Sequence, residues 1–330
     1  MSVLEVAGVS VDYHDRRGSV RAVDCVDLVV GEGQTVGLVG ESGSGKSSLA
    51  RAIVGLTPVA TGHVLVDGVD VTRGGRRTRA HLRGRVQLVF QDPYSSLNPR
   101  MSVAETIEEA LTIHRRMTSG ERRAEITRLL DLVGLGQAAA ASYPFEFSGG
   151  QRQRIAIARA LAVRPRLLIA DEVTSALDVS VQASILNLLR EIQREFEISY
   201  LVISHNLSVV RYLSDLVGVM YFGRIVEVAP AADLFERPCH PYTRALLESL
   251  PRLAGPRVAF EPLEGDIPDP HDPPSGCRFR TRCPIGPAVR VDRSVCVERD
   301  PQQLVAMNPH RAACHFPIRT HDAMNVGVSR

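Results

Sequence analysis

Tryptophan is absent from this chain, and lysine occurs once, at Lys46. Aromatic residues make up 5% of 330, so aromatic stacking is excluded as a dominant binding mode. No apolar run approaches the roughly 20 residues of a membrane-spanning helix. The opening residues, Met1-Ser2-Val3-Leu4-Glu5-Val6, carry neither a basic start nor a long apolar stretch, so no signal peptide is expected. A cytoplasmic chain follows as the expectation, and its six cysteines then read as metal ligands or free thiols rather than disulfides. An excess of either charge is also missing. The formal net charge is +2, which gives no global attraction to nucleic acid or an anionic membrane. The 44% hydrophobic content is that of a globular chain, and the length suggests two domains, or one large domain with an extension.

The lone lysine stands in GESGSGKS, residues 40–47. Thr35-Val36-Gly37-Leu38-Val39 reads as a buried strand before it, and Ser48 to Val54 as a helix after it. Strand, glycine loop, helix is the setting in which G-x-x-x-x-G-K-[ST] binds phosphate. Gly40, Gly43 and Gly45 let backbone N–H groups converge on phosphate oxygens, and the helix N-terminus adds partial positive charge. Lys46 reaches the β- and γ-phosphates, and the Ser47 hydroxyl holds Mg²⁺. Ser42, Ser44 and Ser48 complete this nucleotide-binding stretch. Arginine fills the other 38 Lys-plus-Arg positions. Lysine is retained where a slim ammonium is needed and a planar guanidinium would not fit. The plain alternative is a glycine-rich turn with no ligand.

Residues 1–35 read as β-rich, with a polar turn at 14–19. Tyr13, before that turn, is either an adenine-stacking group or a surface tyrosine. Residues 63–71 predict a hairpin turning at Asp67-Gly68. The arginine-rich run 73–85 reads as a solvated face. Residues 86–90, 167–170 and 201–204 are further buried strands, and 102–141, 151–162 and 181–195 are helical. Leu216 to Val228, broken at Gly223, predicts a closing hairpin. Strands alternating with helices predict a largely parallel, covered sheet. Beyond residue 236, prolines such as Pro251, Pro256 and Pro262 predict few long elements. That stretch is an extension wrapped on the main domain or a small separate module.

Four side chains fall at the carboxyl ends of the predicted strands, where open α/β sheets bind ligands. Asp171 suits Mg²⁺, and Glu172 suits a base that orients and deprotonates water. Gln91 can bridge Mg²⁺ and that water, and His205 can contact the γ-phosphate. A second anion site, Phe147-Ser148-Gly149-Gly150-Gln151, opens a helix. If the two phosphate-binding elements cannot close on one nucleotide, a head-to-tail dimer sandwiching two ATP molecules is expected. A protein carrying Glu172→Gln that stays monomeric in ATP would count against this.

The ordered set GESGSGKS (40–47), Gln91-Asp92-Pro93, FSGGQ (147–151), RLLIADE (166–172), SALD (175–178) and SHN (204–206) resembles the ATP-binding subunits of ABC transporters. The resemblance implies an α/β P-loop ATPase with a RecA-like core, an antiparallel β subdomain and a helical subdomain, about 92–160. The cassette would span 1–236 and a proline- and cysteine-rich extension 237–330. It further implies that Tyr13 stacks on adenine and that Gln91 senses the membrane subunit. Ser148, Gly149, Gly150 and Gln151 are then the signature motif donated to the partner's ATP. Glu172 is the catalytic base, Ser175 to Asp178 the interface loop, and His205 the switch histidine. Val173, Phe147 and Asn206 stand where the family usually has proline, leucine and aspartate; none removes a reacting group.

QDPYSSLNPRMSV (91–103), DVSVQASIL (178–186) and HPYTRALLESLP (240–251) are similar to the peptide-importer branch, which takes oligopeptides, dipeptides or nickel chelates. The branch implies a second, homologous or identical ATPase subunit, two transmembrane permeases and an extracytoplasmic binding protein. Location would be the cytoplasmic face of the membrane. Nickel-chelate import stays an alternative. A soluble ABC-type ATPase acting on DNA or ribosomes would need a coiled-coil arm or a second cassette; residues 102–141 are too short for the arm and the loop is not repeated. An exporter ATPase is disfavoured, by family analogy, by segment 91–103 and the C-terminal tail.

Cys277, Cys283, Cys296 and Cys314 follow the spacing C-x5-C-x12-C-x17-C. Four thiolates suit a [4Fe–4S] cluster or tetrahedral Zn²⁺, or remain reduced thiols without metal. The resemblance to the branch implies the iron–sulfur cluster. Cys25, in an apolar strand, reads as core.

Overall fold

The structure, a computed structural model, describes residues 1–175, 177–249, 268–301 and 310–318. Pro251, Pro256 and Pro262 lie outside the described residues, as does Ala176 of the loop 175–178.

The chain opens with a long hairpin of β1 (Ser2–Asp15) and β2 (Gly18–Gly31), then β3 (Thr35–Val39) and α1 (Lys46–Ile53). A second hairpin, β4 (Thr61–Val66) and β5 (Val69–Asp70), leads to α2 (Arg76–Arg85) and β6 (Val86–Val89). Helices α3 (Pro93–Ser96), α4 (Val103–His114), α5 (Ser119–Leu132) and α6 (Gly149–Ala162) come next. The chain then alternates through β7 (Leu167–Asp171), α7 (Val179–Phe196), β8 (Ser199–Ile203), α8 (Leu207–Leu213) and β9 (Leu216–Tyr221). It closes with β10 (Arg224–Pro230), α9 (Ala231–Glu236), α10 (Pro241–Glu248), α11 (Val295–Glu298) and β11 (Arg311–Ala312).

One sheet has the order β2-β1-β4-β5 and is antiparallel. The other has the order β11-β10-β9-β3-β8-β7-β6. Its strands β9, β3, β8, β7 and β6 are parallel. Every residue of β3, β7 and β8 is buried, as unbroken apolar runs covered on both faces require. Leu49, Ala50, Ala52 and Ile53 of α1 join the two sheets in one core. A second core packs α4, α5, α6 and α7 onto β7 and β8. No described helix is long and apolar enough to cross a membrane.

The Asp67-Gly68 turn has φ of 48° and 74°, the pair of positive values that a two-residue hairpin turn demands. The predicted helical span 102–141 is divided. Ser102/Glu105 and Thr118/Glu121 each form a capping box, so two helices start where periodicity alone reads one region. The arginine run is mostly helix α2; Arg73, Arg76, Arg77, Arg79, Arg83 and Arg85 are exposed and Leu82 alone in that helix is buried.

Cys25 corrects the sequence reading: it is exposed, not core. Val9 pairs with Val26 but Val11 with Val23, so β2 carries one extra residue between them. Cys25 takes φ of 51° in this bulge and turns outward, and Asp24 is buried instead. Tyr13 lies near the end of β1, paired to Val20, ahead of the turn as the sequence suggests.

The C-terminal residues pack on the cassette. β11 pairs antiparallel with β10, extending the main sheet. Phe279 is fully buried against Tyr221 and Tyr242, with ring centroids 5.1 and 5.3 Å apart. Asp24 accepts hydrogen bonds from Arg224 and from Arg278, whose side chain is 13% exposed.

Candidate nucleotide site

The parallel strands deliver their carboxyl ends to one place. β3 runs into the loop 40–47, β6 into Gln91, β7 into Asp171 and Glu172, and β8 into Ser204 and His205. The loop's shape comes from glycines in backbone conformations other residues avoid. Gly45 caps α1 at φ 105°, and a Cβ there would stand 2.2 Å from the Ala22 carbonyl oxygen. A Cβ on Gly40 would stand 2.0 Å from the Met220 carbonyl oxygen.

Lys46 is 5% exposed. Its Nζ donates to the carbonyls of Gly40 and Glu41 at 2.9 and 2.8 Å, and to Ser44 Oγ at 3.1 Å. All three ammonium donors are therefore spent on the loop itself. Burial pushes Lys46 below the usual lysine range, against the upward pull of Glu172, Asp171 and Glu41. Ser47 Oγ donates to Asp171 Oδ1 at 3.1 Å. Burial raises Asp171 above the usual carboxylate range; the Ser47 hydrogen bond opposes this.

Glu172 sits in the left-handed region, φ 50°, with its N–H donating to the Ile203 carbonyl at 2.9 Å. Its Oε1 lies 3.1 Å from His205 Nδ1, the carboxylate half-buried and the imidazole open. Gln91 Nε2 donates to Ser175 Oγ at 3.4 Å, and Ser175 Oγ donates to the Glu172 carbonyl at 3.0 Å. Tyr13 stands beside α1. Partial burial pushes its pKa up, but hydrogen bonding to Ser48 and Thr57 and the Arg51 charge hold it below the usual phenol value.

Ser148, Gly149, Gly150 and Gln151 stand apart from this group. Ser148 caps α6, and its N–H donates to the Gln151 side-chain Oε1 at 2.9 Å in return. Among the described residues no hydrogen bond or ion pair joins 147–151 to 40–47. Gly150 is buried, and a Cβ there would stand 2.3 Å from Val181 of α7. Asp178 caps that helix, accepting from Val181 N–H at 2.9 Å. Its hydrogen bonds with Ser180 and Val181 hold its pKa below the usual range.

Two contacts to the loop escaped sequence reasoning. Glu41 N–H donates to Tyr242 Oη, and the Glu41 carboxylate pairs with Arg282. The partners are 201 and 241 residues away, so no local pattern announces them.

Cys277, Cys283, Cys296 and Cys314 all line one small cavity, walled by Phe279, Ile285 and Phe316. Burial raises all four thiols, Cys283 to about 11 and Cys314 to about 12. Among the described residues, the one group of three or more ligand-type side chains within 4.8 Å of one another is Glu227, Cys239 and His310. It is satisfied internally: Glu227 accepts from Cys239 N–H and His240 N–H and meets His310 Nε2 at 2.6 Å. The four tail sulfurs are more spread than that.

Comparisons with known proteins identify the family. The family model for the ABC transporter matches residues 23–175. That for the oligopeptide/dipeptide transporter C-terminal region matches residues 226–288. The chain is 45% identical to the oligopeptide transport ATP-binding protein AppF of Bacillus subtilis, over 92% of each. It is 51% identical to OppF of the same organism, over 76% of this chain and 82% of that one. Among solved structures, a dimeric, post-hydrolysis ATP-binding cassette bound to ADP and Pi is similar at TM-score 0.63 and 28% identity, covering 69% of this chain and 98% of that chain. cbiO1 from Clostridium perfringens, part of an ABC transporter complex, is similar at TM-score 0.64 and 26% identity, over 72% and 91%. The chain therefore belongs to the ATP-hydrolysing, ATP-binding subunits of the ABC transporter family, in the oligopeptide/dipeptide branch.

Proposed function

We propose that this chain powers import of oligopeptides or dipeptides, with the strand-end site as its ATPase centre. The observation that carries the reading is the single chain holding both a cassette and the oligopeptide/dipeptide C-terminal region. Relatives named for oligopeptide transport favour peptides over nickel chelates.

The residues divide the work as follows. Gly40 to Ser48 cradle the triphosphate, and Lys46 exchanges at least one loop partner for a phosphate oxygen. Tyr13 stacks on adenine. Ser47 and Asp171, whose oxygens already meet, hold Mg²⁺ together with Gln91; a hard cation takes such an oxygen set. Bound Mg²⁺ supplies charge neutralisation on the transferring phosphoryl group. Glu172 orients and deprotonates the attacking water, and His205, beside it, reaches the γ-phosphate.

Ser148 to Gln151 belong to the nucleotide of a second ATPase subunit, identical or homologous. Their separation from the chain's own loop 40–47 supports this. Asp178 and Ser175 flank that interface. Gln91 reports closure to the membrane subunits. Two permeases and an extracytoplasmic binding protein complete the machine, so the chain works at the cytoplasmic face as a peripheral subunit. Cys277, Cys283, Cys296 and Cys314 hold an iron–sulfur cluster, which is structural or sensory, since ATP hydrolysis needs no electron carrier. Anaerobic purification giving a colourless, iron-free chain would end that part.

The main test is purification from the native membrane. Copurification with permeases, and ATPase activity stimulated by peptide-loaded binding protein, are expected. Copurification with nucleic acid and no permease would overturn the reading.

A further inference from the structure

Among the described residues, the C-terminal segment hydrogen-bonds the phosphate loop at one residue, Glu41, and holds it at two points. Arg282 donates Nη1 and Nη2 to Glu41 Oε2 and Oε1 at 2.7 and 3.1 Å, a two-pronged grip. The Arg282 side chain is 7% exposed and that of Glu41 26%, so the guanidinium is shielded from solvent and the carboxylate partly so. The second point is main chain: Glu41 N–H donates to Tyr242 Oη at 2.9 Å. The third polar group of the residue, its carbonyl, receives Lys46 Nζ. The carbonyl also accepts from Ser44 N–H at 3.2 Å, so Glu41 is fully engaged, and the C-terminal segment holds two of its three polar groups.

The grip is itself rigid. Tyr242, Tyr221 and Phe279 pack with ring centroids 4.7 to 5.3 Å apart, and all three are buried. The Arg282 guanidinium lies 5.9 Å from the Tyr221 ring centroid. Charge gives the contact its meaning. A carboxylate in the second position of a phosphate loop repels the triphosphate that the loop must bind. Arg282 cancels that charge, and the fork also fixes where the carboxylate points.

We propose that Arg282 and Tyr242 are positioning residues for ATP binding: they hold Glu41, neutralise its carboxylate and pre-set the loop before nucleotide arrives. This rests on the loop 40–47 being the triphosphate site. Neither residue touches the reacting atoms. The competing account is a plain staple, in which the same contacts only fasten the C-terminal segment.

The two accounts differ in sign. Equilibrium binding of Mg-ATP to the full-length chain, with and without each substitution, separates them. Arg282→Gln leaves Glu41 unopposed and should weaken binding about tenfold. Glu41→Gln leaves Arg282 unopposed and should tighten binding two- to fivefold, roughly. The double variant carries neither charge and should return to within about threefold of the parent. Tyr242→Phe should weaken binding by a few fold, roughly. Under the staple account Glu41→Gln and Arg282→Gln loosen the same contact and move affinity the same way. Equal weakening by both, or a double variant no better than Arg282→Gln, overturns the proposal. In the assembled transporter KM for ATP should rise with kcat retained. Should Arg282→Gln fail to fold, Arg282→Lys keeps the charge and loses the fork; it should bind about threefold more weakly, and unchanged affinity would overturn the positioning role. If the parent chain binds no Mg-ATP, or Lys46→Ala binds as well as the parent, the reading of the loop itself fails instead.

Discussion

The phosphate loop at 40–47 and the cysteine-bearing segment at 277–283 are both irregular backbone, yet they are held in different ways. The loop takes its turn from glycines whose missing Cβ atoms admit the Ala22 and Met220 carbonyls and from a lysine bonded to its own carbonyls, with only Glu41 gripped by the C-terminal segment. The segment is shaped from outside. Arg278 reaches Asp24 and the Phe222 carbonyl, Arg282 reaches Glu41, and Phe279 fills an aromatic pocket. A local device can be read from eight consecutive letters. A device assembled from partners 200 residues away cannot, although it fixes backbone as firmly.

Four experiments can break or sharpen that contrast, beginning with the largest effect. Glu172→Gln should cut turnover about 10²–10⁴-fold while leaving ATP bound, and size exclusion in ATP should show a dimer. A monomer would remove the case for a signature loop working in trans. Lys46→Ala should lower Mg-ATP affinity about 10³-fold in a binding titration, because no other residue of the loop carries a positive charge. Retained affinity would mean that the loop is not organised by its lysine.

Asp24→Asn probes the outer device. The Asp24 side chain is 9% exposed and meets Arg21, Arg224 and Arg278, so its loss should cost about 3 kcal/mol in denaturant unfolding. Acid should act similarly. Burial pushes the Asp24 pKa up, but the three arginines more than offset this and hold it below the ordinary 3.8. The clamp's contribution is therefore complete above pH 3.8 and is lost as pH falls through the lower folded value. Hydrogen exchange along Cys277–Phe279 should rise over that interval in the parent, and Asp24→Asn should abolish the pH dependence. Arg17→Ala should change stability by less than about 0.5 kcal/mol, since the Arg17–Asp269 pair is 71% and 47% exposed. A larger loss would mean that peripheral pairs, not the buried arginines, fasten the segment.

Several features were legible in the sequence for local reasons. The buried strands β3, β7 and β8 are unbroken apolar runs, and the Asp67-Gly68 hairpin is a turn signal two residues long. Ser47 and Asp171 meet at 3.1 Å because both sit at strand or loop ends on the same edge of a parallel sheet. Other features were not legible. Cys25 faces out because a bulge adds one residue to β2, and a period of two cannot reveal where it slips. The division of 102–141 depends on Thr118 and Glu121 bonding each other's main chain, which a hydrophobic repeat does not register. Glu172 takes a left-handed backbone conformation with its N–H on the Ile203 carbonyl of the neighbouring strand, a contact that local sequence does not announce.

By itself, the order of residues determined the phosphate loop, the strand-end carboxylates and the family they belong to. Each of these rests on neighbours in the chain. Only the folded chain decided which carboxylates are buried, that Cys25 is open, and that Glu41 is gripped by Arg282 and Tyr242. Those outcomes depend on surfaces brought together from opposite ends of the chain, where contact follows packing and leaves no periodic trace.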